Sequence, residues 1–326
     1  GWWVISYTNN FEKATGKVDL NRKVDIQSPR QTVSACMIIG GAQEGLLHRC
    51  LKSIRNFADE IIIADTGMTN ACKEILSHYA NVTVFPAPNP LEVGFDVARN
   101  ESIKKAKGDW ILWLDSDEEL LTIEHVYKYL RHNVYNGYSI RQHHFSAQPP
   151  SAFKPDLPIR LFRNHMGIQF YGVVHEHPET EMNGGVGEST ILADVDIAHD
   201  GYLTEAGRRK RFDRNIQLMF KDRQKYPDRI LGKFLMMRDW MHLARYTLER
   251  NKGVLTPEVV QWCNSVIDTY RVNFLGKDNI MSHDGLAFYS EAMTILGQGL
   301  EYSFNCAVSA KLNGGVITGR FADEKE

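Results

Sequence analysis

From Val33 onward, apolar residues fall into short unbroken runs that alternate with stretches of helical spacing. "TVSACMII" ends at Gly40-Gly41 and is followed by "EGLLHRCLKSIRNF", whose apolar positions recur three and four residues apart. "ADEIIIADTG" is a second run, "NACKEILSHY" a second helical stretch and "NVTVFPAP" a third strand. "DVARNESIKKA" then predicts a helix and "GDWILWLDSD" a fourth strand. Strands that are apolar throughout and alternate with helices predict a parallel sheet covered on both faces. The expected fold class is therefore α/β, with polar residues gathered just beyond the carboxyl ends of the strands.

Between 138 and 200 the pattern shortens to "YSIRQHHF", "IRLFRN", "IQFYGVVHE" and "ADVDIAHDGY", extended pieces broken by Pro and Gly. These read as the second half of the same domain, with strands in mixed directions. Beyond Tyr202 the spacing is helical, in "EAGRRKRFDRNIQLMFKDRQKYPD", "RILGKFLMMRDWMHLARYTLERN" and "TPEVVQWCNSVIDTYRVNFL". Tyr226-Pro227 and Asn251-Lys252-Gly253 are the expected turns between helices. The domains expected are an arm or appended strand over 1–32, an α/β domain over 33–203, an all-α region over 204–318 and a polar tail over 319–326. The all-α region is repeat-like, though no period is clean enough to assert. Trp2 and Trp3 of the arm are candidates for packing on the helical region or on a second subunit, as in a dimer.

A net charge of −2 gives no global attraction to nucleic acid or membrane, so such a partner would need a local patch. Five scattered cysteines, Cys36, Cys50, Cys72, Cys263 and Cys306, form neither a disulfide framework nor a zinc pattern. They read as small apolar residues in a reducing compartment. With no apolar run of membrane-spanning length, a cytoplasmic location is the default expectation. The sequence opens on Gly1 and not Met, so targeting information ahead of it is left open.

The chemistry concentrates in "GDWILWLDSDEELL", where a buried strand runs into Asp115, Asp117, Glu118 and Glu119. Like charges this close raise a pKa or recruit a cation. Hard oxygen donors so arranged suit Mg²⁺ or Mn²⁺, above all where a substrate diphosphate supplies further ligands. The structural alternative is that Asp115 caps a helix beginning near Glu118.

These stretches together resemble family 2 glycosyltransferases, which have the GT-A fold, a Rossmann-like sheet that binds nucleotide sugars. The resemblance runs in order through "RCLKSI", "DEIIIADTG", "ARN", "GDWILWLDSDE", "RLFRN", "GVVHE" and "AHDGY", over about residues 33 to 203. It implies transfer of a sugar from a nucleotide-diphosphate donor to an acceptor nucleophile, with a divalent metal, Mn²⁺ or Mg²⁺. On the family's pattern Asp117 is the direct metal ligand, Asp115 contacts the ribose or the metal's water shell, and His199 completes the metal site. Asp65 and Arg99 are placed on the nucleotide, and Ile39 and Glu44 on the donor side with them. Glu176 is the general base of an inverting reaction, with His175 its nearer rival and His177 a further one. Alternation along "QFYGVVHEH" sets His175 and Glu176 on opposite faces unless the strand bulges. Arg160 and Arg163 of "RLFRN" are assigned to the acceptor side.

Two departures from the family lie near the expected donor site, "GGAQEG" in the first loop and Met68 after "DTG", and both bear on which donor is used. A nucleotidyltransferase is the competing enzyme class, but "GGAQEG" has no basic residue before Arg49. The other competing reading is a non-catalytic scaffold that works through its helical tail. The run "GRRKRFDR", residues 207–214, is a solvated helix face or a guide for an anionic acceptor. The acceptors considered are a protein or peptide, a polysaccharide or glycan, and a modified DNA base exposed by flipping.

Overall fold

The computed structural model describes residues 30–131, 134–144, 156–199 and 205–298, leaving aside the side chains at 123–125, 205–209 and 280. The arm expected over 1–32, but for residues 30–32, and the tail over 319–326 lie outside these residues. The chain divides into two compact units, Gly1–Asp222 and Arg223–Glu326.

The first unit is built on an eight-stranded sheet. Strands β1 (Val33–Gly41), β2 (Glu60–Met68), β3 (Val82–Pro86) and β4 (Trp110–Trp113) are parallel in the order β3-β2-β1-β4. Helices α1 (Glu44–Ile54), α2 (Asn70–Ser77), the single turn α3 (Pro90–Val93) and α4 (Phe95–Lys105) connect them. Side-chain parity sets the two faces. Val33, Ala35, Met37 and Ile39 of β1 join Ile61, Ile63, Trp110 and Leu112 in one core with Leu47, Leu51 and Ile54 of α1. Cys36, Ile62, Ile111 and Trp113 point the other way, into a second core with Ala106 and Ile103 at the end of α4. A strand buried on both faces has no polar alternation, which is why these strands read as unbroken apolar runs.

The remaining strands are β5 (Glu118–Leu121), β6 (Gly137–His144), β7 (Ile159–Arg163), β8 (Gln169–Tyr171), β9 (His177–Glu179) and β10 (Ser189–His199). As expected, directions are mixed: β7 runs antiparallel to β4 and β6, β10 parallel to β6 and β5 antiparallel to β10. β8 and β9 form a separate hairpin.

Helix α5 (Glu205–Lys225) lies almost wholly in the first unit, which ends at Asp222. Its anchors are hydrogen bonds to the α/β elements: Val173 N to Asp222 Oδ1 at 2.8 Å and Lys221 Nζ to the Leu91 carbonyl at 2.7 Å. The second unit holds α6 (Ile230–Arg250), α7 (Pro257–Asn273) and α8 (Ile280–Ile295). Thr256 and Asn279 cap α7 and α8 through the amides of Val259 and Ser282. Gly253, at φ +81°, takes the left-handed turn after α6. Phe234, Phe274 and Phe288 pack between the helices, and Tyr270 stacks on Tyr289. The four described cysteines Cys36, Cys50, Cys72 and Cys263 are buried free thiols. No helix among the described residues is long and apolar enough to cross a membrane.

Candidate active site

β1 leads to β2 on one side of it, while β4 pairs with β1 on the other, so the carboxyl ends of β1 and β4 form the switch point at which open α/β sheets bind ligands. Ser116 Oγ, in the loop after β4, donates to Gln43 Oε1 in the loop after β1 at 3.3 Å. The acid loop closes on itself: Glu118 N donates to the Asp115 carbonyl at 3.1 Å, and Asp115 N donates to Glu118 Oε2 at 2.8 Å. No helix follows. Glu118 opens β5, paired with β10, so the capping role for Asp115 falls away because the strand pairing takes the backbone that a helix would need.

Each of the four clustered acids meets its own cation from a different element. Asp115 accepts from Arg99 Nη2 of α4 at 2.5 Å, and Asp117 Oδ2 lies 3.4 Å from both His199 Nε2 of β10 and Arg211 Nη2 of α5. Glu118 accepts from Arg160 Nη2 of β7 at 2.6 Å, and Glu119 Oε2 forms an ion pair with Arg49 of α1, 3.1 Å from Nε. Burial pushes Asp115 up, but Arg99 and Arg160 outweigh it and hold the carboxyl well below its ordinary range. Asp117 is likewise lowered, burial being offset by its hydrogen bond to His199. Glu118, fully enclosed, is raised by burial despite Arg160.

Arg99 reaches a second carboxylate, Glu176, through Nε at 2.9 Å, and its guanidinium lies over the Trp113 ring at 4.5 Å. The strand expected through "QFYGVVHEH" is instead split into β8 and β9. Gly172 at φ +120° and His175 at φ +52° break the extended backbone between them. Alternation therefore does not govern 172–176, and the loop is set by Phe95 N on the Val173 carbonyl and by Val173 N on Asp222. Glu176 turns its carboxylate to Arg99. Burial raises its pKa, only partly countered by Arg99, and the charge of Asp115 raises it further. His177 is buried on β9, 4.0 Å from Glu179.

Behind Asp117 stands a chain of buried groups that the sequence reading missed. His199 Nδ1 is 2.7 Å from His144 Nδ1, and His144 Nε2 is 2.8 Å from Asp156 Oδ2. Among the described residues no three His, Cys, Asp or Glu side chains are grouped to hold a metal ion. Asp117 and His199 do form a facing pair of one carboxylate oxygen and one imidazole nitrogen. That donor set fits a divalent cation whose other ligands come from a diphosphate and water, with Mn²⁺ suited better than Mg²⁺ by the imidazole.

Other expected site residues are placed differently. Asp65 Oδ1 accepts from the amides of Gly67 and Met68 at 2.9 and 2.8 Å, and Lys73 is 3.5 Å from Oδ2. These donors outweigh burial and keep its carboxyl below the ordinary value. Glu44, first in α1, accepts a short hydrogen bond from the Thr69 hydroxyl. Ile39 has its side chain in the core, and only its carbonyl meets Thr66 Oγ1, at 3.2 Å. Met68 is core too, which accounts for an apolar residue there. A Cβ at Gly40 would fall 2.6 Å from Thr66 Oγ1, and Gly41 has φ +69°, so both glycines answer to backbone geometry. Arg160 is enclosed between Glu118 and the Trp113 ring at 3.8 Å, which removes it from any acceptor. Arg163 pairs with Trp110, at the opposite end of β4 from the acid loop, because β7 runs antiparallel to β4. The basic run is not simply solvated: Arg211 meets Asp117, and Arg214 lies 5.5 Å from the Phe95 ring.

Residues 34–183 match the sequence model described as Glycosyl transferase family 2, a little under half of the chain. This stretch is a family 2 glycosyltransferase domain. It contains Asp65, Arg99, Asp115, Asp117 and Glu176, and ends before His199 and Arg211. The α/β domain of GT-A type followed by an all-α region is the fold expected from the resemblance. A TPR repeat-containing protein of Synechococcus elongatus is 34% identical over 145 residues, 44% of this chain, and the match spans about a third (34%) of that protein's length. Among solved structures, S. aureus TarS 1–349 in complex with UDP-GlcNAc matches at 12% identity and a TM-score of 0.46, covering 90% of this chain and 95% of that one. The same protein in complex with UDP matches at 12% identity and 0.44, covering 87% and 91%.

Proposed function

We propose that this chain moves a sugar from a nucleotide-diphosphate donor to an acceptor nucleophile, with inversion at the anomeric carbon. The observation that carries the reading is the bridging of Asp115 and Glu176 by Arg99 at the carboxyl end of β4, inside the family 2 domain. Glu176 acts as general base. Its raised pKa makes the carboxylate a stronger proton acceptor than an ordinary glutamate, and Arg99 holds it in place through Oε1. The acceptor's proton passes to Glu176 as its lone pair forms the new bond to the anomeric carbon. The old bond to the donor phosphate breaks, and its electron pair leaves with the nucleotide diphosphate. Asp117 and His199 would hold the divalent cation, which when bound offsets the charge building on the leaving diphosphate. Asp115 and Arg99 are assigned to the donor side.

Calorimetric titration of a panel of nucleotide sugars, with and without Mn²⁺, tests this reading against Asp117→Ala. Metal-dependent binding of one donor that is lost in the variant is the expected result. Failure of every donor to bind in the presence of metal would return the domain to a scaffold role.

A further inference from the structure

Glu176 lies on a loop that no strand ladder holds. β8 ends at Tyr171 and β9 begins at His177, and between them Gly172 and His175 take φ of +120° and +52°. Buried backbone groups in such a segment need partners from elsewhere. At the buried Val173 both are met: its carbonyl accepts from Phe95 N at 2.9 Å, and its amide donates to Asp222 Oδ1 at 2.8 Å. Phe95 stands one turn before Arg99 on α4, so one helix holds the loop at Val173 and, through Arg99, at Glu176. Gly94 permits this approach, since a Cβ there would fall 3.1 Å from Val173 Cα.

Asp222 reaches the loop from outside that frame. It is fully buried near the end of α5, well past residue 183, where the match to the family ends. Arg211, Arg214, Leu218 and Asp222 recur three and four residues apart and so form one stripe of the helix. Along that stripe Arg211 meets Asp117, Arg214 lies over the Phe95 ring, Leu218 is buried and Asp222 takes the Val173 amide.

We infer that Asp222 is a positioning residue for Glu176: by holding the Val173 amide, three residues ahead, it sets where the Glu176 carboxylate stands against the acceptor. The inference rests on the reading of Glu176 as general base. Without an acceptor at 222 the buried amide is left unpaired, and the loop must shift to satisfy it. Misplacing a reacting group by about 1 Å costs on the order of 10²-fold in rate. Asp65, Asp115 and Asp117 lie outside this loop, so donor binding stays near the parent value while kcat falls.

The test uses the full chain, as parent, Asp222→Ala, Lys221→Met, Glu176→Gln and the double variant Asp222→Ala/Glu176→Gln. Lys221 anchors the same turn of α5 to the Leu91 carbonyl, and its loss is the control for docking of the helix. The donor is the nucleotide sugar selected by the calorimetric panel with Mn²⁺, and kcat is read as its hydrolysis, with water as the nucleophile. Asp222→Ala is expected to lower kcat about 10²-fold, with donor affinity and stoichiometry near the parent's. Lys221→Met should keep the parent kcat, and the double variant should be no slower than Glu176→Gln. A purely structural loss would instead lower the stoichiometry and add to the effect of Glu176→Gln. Parent-like kcat in Asp222→Ala, an equal fall in Lys221→Met, or losses that multiply in the double variant overturn the inference. Hydrogen exchange covers the case in which Asp222→Ala does not fold. A Val173 amide that exchanges in the parent as fast as exposed loop amides overturns the inference by itself. If no donor binds, or Glu176→Gln hydrolyses it at the parent rate, the general-base reading fails and takes the inference with it.

Discussion

Arg99 stands 2.9 Å from Glu176 through Nε, and the same guanidinium reaches Asp115 at 2.5 Å through Nη2. One planar fork thus ties the acid loop after β4 to the loop between β8 and β9. Lysine carries its charge at a point and matches one carboxylate at most. Arg99→Gln, which leaves the buried carboxylate of Glu176 uncompensated and takes the partner from the more exposed Asp115, is expected to lower stability by about 3–5 kcal/mol, with Arg99→Lys losing less. Urea unfolding checks this, and adding Glu176→Gln to Arg99→Gln should recover part of the loss. A change in Arg99→Gln within about 1 kcal/mol would show that the bridge does not hold the loops.

Glu176→Gln is expected to lower kcat about 10²–10⁴-fold while donor binding by calorimetry stays near the parent value. The active form is the carboxylate, present above its pKa. Because burial raises that pKa, activity should be lost as pH falls through a value above the ordinary 4.5 of glutamate. Asp115→Asn removes a negative neighbour that contributes to the raise and leaves Arg99 to Glu176 alone. The acid limb of kcat/KM should therefore move to lower pH in that variant, and a limb that stays put would assign it to another group.

β1, β2 and β4 were legible because burial on both faces writes unbroken apolar runs, the edge strand β3 being largely exposed, and the acid loop because clustered like charges after such a run call for cations. Arg99 and Glu176 were legible through motif order. His144, Asp156 and Arg211 were not, since each reaches the site through pairing between elements distant in the chain. The β6–β10 register depends on a bulge at 193–195 that no alternation pattern marks. The split of "QFYGVVHEH" was hidden for a similar reason: His175 takes a left-handed conformation that its type does not announce. Arg160 and Arg163 show the limit of a motif, for in "RLFRN" the strand direction sends Arg163 away from the acids and parity encloses Arg160.

Arg211 competes with any cation for Asp117, since its Nη2 lies 3.4 Å from the same oxygen that faces His199. The side chain is about a third exposed, so solvent screens the pair and limits its strength to about 1 kcal/mol or less. Arg211→Gln should therefore tighten Mn²⁺ binding, by up to about fivefold, in the absence of donor. Manganese titration by electron paramagnetic resonance measures this directly. Weaker binding in the variant would mean that Arg211 orders Asp117 for the metal and does not oppose it.

The neighbouring acids that open β5 should respond unequally to loss of charge. Glu118 is enclosed and accepts from Arg160, from the Asp115 amide and, through a short hydrogen bond, from Gln142. Glu119 meets Arg49 near the surface, with both side chains at least a third exposed or close to it. Glu118→Gln sets an amide donor among three donors and uncovers the charge of Arg160, a cost of about 3–5 kcal/mol. Glu119→Gln should cost less than about 1 kcal/mol. Denaturant midpoints separate the two, and equal losses would mean that enclosure does not set their worth. The difference answers why a buried strand ends on clustered acids: Glu118 braces the loop, Glu119 is a surface pair, and Asp115 and Asp117 are left for the proposed chemistry.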